Sequence, residues 1–130
     1  MTSLKWFSTM LLMTFEEFEE IIEYSIKGLP VNIKEILDKN KIKVLPRERM
    51  PSPLKASHPG SIVFGVFIGV QFGRFVDIQI EPTRIELYKE SFEKVFKDKD
   101  EIAGQIKATV VHEVAHYLGF TEKQIRKLGY

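Results

Sequence analysis

Apolar residues recur along this chain with two different periods, and the period changes where glycine and proline fall. After Thr14, the residues Phe15, Phe18, Ile21, Ile22 and Ile26 return every three to four positions, the spacing that gathers them on one face of a helix. Thr14 and Glu17 stand at the separation of a capping box, and Gly28 ahead of Pro30 supplies a stop. A second, shorter helix is expected through Ile33, Ile36 and Leu37, ending near Asn40. The period then falls to two. Ile42, Val44 and Leu45 predict a first strand that stops at Pro46.

Pro46, Pro51, Pro53 and Pro59, with Gly60 and several charges, mark residues 46–61 as an irregular loop, the longest in the chain. The β-rich run 62–69 follows and predicts a central strand. Gly69, Gln71 and Gly73 suggest a turn, and 76–80 a further short strand interrupted by Pro82. Residues 84–89 alternate as another strand. Helical spacing returns in the last third. A short helix is expected from Ser91 to Lys97 with Phe92, Val95 and Phe96 inward, then a longer one from about Asp100 to Leu118. On a helical wheel, Ala103, Val110, Val111, Val114 and Leu118 form an apolar stripe, and Gln105, Thr109, His112 and His116 fall opposite it. Gly119 ends that helix. Thr121 and Gln124 form a second capping box, opening a final short helix to Leu128. There are no internal repeats.

Composition narrows the class. At 130 residues the chain is expected to form a single domain over residues 13–130, with 1–12 as an N-terminal extension or tail and Met13 as an alternative start. The opening residues lack the unbroken apolar run of a signal or membrane span, because Ser8 and Thr9 interrupt it. The composition is 44% hydrophobic and 28% charged, that of a soluble domain. A net charge of +1 gives no pull toward nucleic acid or an anionic membrane, so neither is expected as a partner. Cytoplasmic residence follows by default. With no cysteine, any metal must be held by histidine and carboxylate.

The chemistry gathers in 112–122. His112-Glu113-Val114-Ala115-His116 spells H-E-x-x-H on the polar face of the long helix. Imidazoles four residues apart lie about 40° apart around a helix and roughly 6 Å along it, so both can reach one zinc ion. Glu113 is placed to take a proton from an attacking water, the general-base role. The plain alternative is a pair of surface histidines on a solvated face. A catalytic zinc usually has a third protein ligand. On a straight helix residue 122 would lie about 15 Å beyond His112, too far to share an ion. A left-handed turn at Gly119 would bring it back, and Glu122 is the one acidic residue after His116. Glu122 is therefore the leading third ligand. A first-turn carboxylate favouring the helix dipole is its alternative role, and His58, in the loop, is the other candidate ligand. Tyr117 should point away from His116, and Tyr88 and Tyr130 cannot be placed. Phe64, Phe67, Phe72 and Phe75 read as packing rather than as a substrate subsite.

These residues resemble a known family. Phe15-Glu-Glu-Phe-Glu-Glu with Leu29-Pro30, the Gly65-Val-Phe-Ile-Gly run, Arg84-Ile-Glu-Leu-Tyr and above all His112-Glu-Val-Ala-His-Tyr-Leu-Gly are similar to the minimal zincin-like metallopeptidases, small bacterial proteins. The resemblance runs from Met13 to Tyr130. It implies an α+β fold in which a small mixed sheet of about three to four strands packs with N-terminal helices and a C-terminal zinc-binding helix. It also implies one zinc ion on His112, His116 and Glu122, with Glu113 as base. The family pattern usually carries Asp where this chain has Glu122, and no methionine follows Met50 to form a methionine turn. The expected activity is hydrolysis of a peptide or protein substrate, unidentified. The other reading is a zinc-binding interaction module without significant peptidase activity. Oligomeric state is left open.

Overall fold

The computed structural model describes residues 12–69, 83–127 and 129. Among them are six helices and three strands. Helix α1 (Phe15–Lys27) begins as its sequence dictates. Thr14 Oγ1 accepts from the Glu17 amide at 3.1 Å, and Glu17 Oε1 accepts from the Thr14 amide at 3.0 Å. Two amides that a helix start leaves without partners are thereby satisfied. Phe18, Ile21, Ile22 and Ser25 form the buried face, and Ser25 returns its hydroxyl to the Ile21 carbonyl. Helix α2 (Val31–Lys39) follows after Pro30.

Strand β1 (Lys43–Arg47) runs through Pro46 rather than stopping there. It lies at the edge of the sheet, where alternate backbone amides need no ladder partner and proline is tolerated. The segment expected as pure loop contains a short helix, α3 (Ser52–Ser57), with Pro53 in its first turn. Strand β2 (Gly65–Ile68) starts later than the apolar run from Ile62, and strand β3 (Arg84–Tyr88) follows.

The sheet order is β1-β3-β2, with β1 parallel and β2 antiparallel to β3. The expected central position of β2 is not seen among the described residues, and the expected neighbouring strand 76–80 lies outside them. Among the described residues β2 is an edge, and β3 holds the middle. Side chains alternate across a strand. Ile85 and Leu87 join the main core, while Glu86 and Tyr88 are buried on the other face. Burial of Glu86 is offset by two arginines, with Arg47 Nη2 at 3.0 Å and Arg84 Nε at 2.9 Å from its Oε2. The segments expected as a turn (69–73) from Val70 on and as a strand (76–80) lie outside the described residues, as do Phe72, Phe75 and Tyr130.

Helix α4 (Lys89–Val95) begins directly at the end of β3. Phe92 is buried at its core, but Val95, expected inward, is 45% exposed. Helix α5 (Lys99–Tyr117) is the backbone of the domain, capped by Asp98, whose side chain accepts from the Glu101 amide at 2.8 Å. Ile102, Ile106, Val110 and Val114 are fully buried at successive i+4 steps, each worth about 1.5–3 kcal/mol relative to exposure. Phe18, Leu37, Ile85, Leu87 and Phe92 share their core. No helix among the described residues is long and apolar enough to cross a membrane. Helix α6 (Glu122–Lys127) anchors through buried Ile125.

Candidate metal centre

The last two turns of α5 and the first residue of α6 converge on one point. Leu118 caps α5, and Gly119 takes φ +94°, the left-handed conformation that glycine reaches without a Cβ clash. The amides of Gly119 and Phe120 donate to the carbonyls of His116 and Ala115, both at 2.9 Å, the paired bonds of a Schellman stop. The reversed chain then enters α6 through a second capping box. The Gln124 amide donates to Thr121 Oγ1 at 3.2 Å, and Gln124 Oε1 accepts from the Thr121 amide at 2.8 Å.

This turn brings Glu122 back over the histidines. Its Oε1 lies 3.0 Å from His112 Nε2 and 2.6 Å from His116 Nε2, and the two nitrogens are 3.1 Å apart. His112, His116 and Glu122 form a group able to hold a metal ion. Tetrahedral zinc with bonds of about 2.0–2.1 Å would place its ligand atoms about 3.3 Å apart. Two separations come within a few tenths of an ångström of that edge, and the third requires the carboxylate to move back slightly. The donor chemistry also fits: two imidazole nitrogens and one carboxylate oxygen, all half-buried or exposed and facing one point. The two histidines hold the Glu122 carboxyl below its ordinary range, His112 most strongly.

Glu113 is set differently. Burial is the main influence on its carboxyl and pushes it above the ordinary carboxylate range. The charges of His116 and His112 and a hydrogen bond from the Phe67 backbone oppose that rise. Phe67 belongs to β2, so the sheet edge reaches the helix at this residue. Between them lies a cleft of about 270 Å³ lined by Phe64, Gly65, Gln105, Thr109, His112 and Glu113. Gly65, in the cleft wall, lets β2 lie close on β3. A Cβ there would stand 2.6 Å from the Glu86 carbonyl oxygen and 2.7 Å from a Leu87 methyl. A larger concavity, about 570 Å³ among Ile22, Ile26, Leu37, Ile42 and Val44, contains none of the H-E-x-x-H residues. The smaller cleft is the one that His112 and Glu113 line.

The other residues singled out in the sequence are placed plainly. His58 is not part of the metal-competent group; its Nδ1 lies 3.2 Å from the Leu54 carbonyl. Tyr117 does turn away from His116, packing on Phe67 at 5.0 Å between ring centroids and donating to Asn40 Oδ1 at 3.0 Å. Phe64 packs on Phe92 and Phe96 but also forms part of the cleft wall. Tyr88 is fully buried, and its hydroxyl has no hydrogen-bond partner among the described residues. Burial first, then the Glu86 charge, pushes it up to about 12. Sequence reasoning missed the β2 wall. Gln105 and Thr109 were signalled by sharing the histidine face, whereas no local pattern marks the Phe67 contact.

A family model described as zincin-like metallopeptidase matches residues 40–130, which include the sheet, the H-E-x-x-H helix and Glu122. No curated protein is significantly similar to this chain.

Proposed function

Because this chain belongs to the zincin-like metallopeptidase family, we propose that it is a zinc-dependent peptidase working in the cleft between β2 and α5. The observation that carries the reading is the convergence of His112, His116 and Glu122 beside a buried Glu113. In this reading the first three hold one zinc ion. When bound, the ion supplies a Lewis acid that polarises the scissile carbonyl and acidifies water. Glu113 does the proton work. Its carboxylate, with affinity raised by burial, accepts a proton from the attacking water and returns it to the leaving amine. The Phe67 amide restrains that carboxylate in position.

Substrate placement follows from the edge. Among the described residues β2 is hydrogen-bonded to β3 alone, and its other side borders the cleft. An extended peptide laid along β2 would bond backbone to backbone and pass over Glu113. Phe64, partly buried, packs on Phe92 with ring centroids 4.9 Å apart, which ties that wall to the core.

The test combines metal analysis with cleavage of a broad peptide library. The zinc-loaded protein should cleave, chelation should abolish cleavage, and zinc should restore it. Glu113→Ala should bind zinc but lose about 10²–10⁴-fold in kcat, the usual contribution of a positioned acid–base group. Equal cleavage by native, chelated and Glu113→Ala samples would sink the catalytic reading. Stoichiometric zinc without cleavage would favour a metal-binding interaction module.

A further inference from the structure

A second concavity, about 310 Å³, opens between the segment that follows β1, helix α3, the start of α4 and residues 60–62. Its wall carries Arg49, Lys55, His58 and Lys94 around a single carboxylate, Glu90. Glu90 is already held by Lys94 Nζ at 3.0 Å and by Arg49 Nε at 3.8 Å. Lys55 makes no ion pair among the described residues. His58 directs Nδ1 at the Leu54 carbonyl, which leaves Nε2 for another partner. Three permanent cations therefore share one anion. Glu90 responds to all three: Lys94 most, then the charges of Arg49 and Lys55, draw its carboxyl below the ordinary range. Three cations from three segments thus converge close enough to act on one group.

The position of this basic hollow relative to the cleft gives it a role. Gly60, Ser61 and Ile62 line the hollow, and Phe64 and Gly65, immediately downstream, line the catalytic cleft. Extended chain advances about 3.3 Å per residue, so a peptide passing along β2 would reach the hollow within a few residues of the cleft. We propose that the hollow formed by Arg49, Lys55, His58 and Lys94 is a specificity subsite for a carboxylate of the bound peptide. The source is an acidic side chain or the free C-terminus. The proposal rests on the peptidase reading in one respect, that the peptide lies along β2. Each cation is solvent-exposed and contributes little alone, but together they amount to about a tenfold preference.

The test separates binding from turnover. Zinc-loaded Glu113→Gln protein is titrated with fluorescent peptides, Glu against Gln at each position flanking the bond, with free or amidated C-termini. Anisotropy should show about tenfold tighter binding of one acidic set. The gap should close in a protein also carrying Arg49→Gln and Lys55→Gln, and should shrink in high salt. A gap that follows Glu identifies a side-chain carboxylate, and one that follows the free terminus identifies the α-carboxylate; either supports the subsite. Peptides that bind equally, or not at all, overturn it. A gap that survives Arg49→Gln and Lys55→Gln also overturns it. Failure of the peptidase reading would appear separately, as lack of cleavage by the wild type.

Discussion

Glu122 reaches two histidines with a single oxygen, 2.6 Å from one and 3.0 Å from the other. A glutamate is one methylene longer than aspartate, and after the turn at Gly119 its carboxylate reaches both histidines. Removing the carboxylate should cost more than removing a residue that merely orients a ligand, which typically lowers metal affinity 10–100-fold. Glu122→Ala is therefore expected to weaken zinc binding by about a hundredfold or more, read by competition with a chelator. Unchanged affinity would remove Glu122 from the site. At this scale the sequence was highly legible. His112, Glu113, His116 and Glu122 lie within one helix and one turn, and their geometry follows from helical rise and a glycine stop. Tyr88 was not legible, because nothing near it in the chain says that its hydroxyl is buried without a partner.

Among the elements, α1 shows how a local motif extends into tertiary structure. Glu17 closes the capping box and also accepts from Lys99 Nζ at 2.9 Å, tying the start of α1 to the start of α5. The Thr14 backbone first, then the Lys99 bond and charge, lower its carboxyl from 4.5 to about 2. A depressed folded-state value means that the carboxylate form favours the fold. That contribution is present above the unfolded value near 4.5 and is lost as pH falls toward 2. Glu17→Gln should lower the melting temperature at pH 6, with the difference from wild type disappearing by pH 2. A difference that stays constant across thermal melts from pH 6 to pH 2 would remove this role. The capping boxes, helix faces and α5 stripe could be read from spacing because their causes are local. Strand order could not. β2 has the more continuous apolar run, yet among the described residues β3 takes the centre, because both upstream strands pair with it. Pro46 likewise reads as a strand stop until the edge position of β1 is known.

For the molecule as a whole, the candidate centre joins an element of the main core to a six-residue helix too short to hold its own shape. An ion bound by both should stabilise the folded state by about 2.7 kcal/mol when present at a hundred times its dissociation constant. For a chain of 130 residues that corresponds to a rise of about 10 °C in Tm. Calorimetry with and without zinc should show the rise in wild type and little of it in His116→Ala; equal shifts would place the bound ion elsewhere. The Phe67 contact with Glu113 has a further consequence, for the order of folding. The metal-competent donors are separated by at most ten positions, whereas the wall that restrains the base comes from a strand far upstream. Local closures form ahead of distant ones because less chain entropy is lost. By that argument the metal-competent donors are expected to come together earlier than the β2 wall. On the proposed reading, a chain still folding would meet its ion before Glu113 has the β2 wall beside it, so the capacity to act on a peptide would be the last to form.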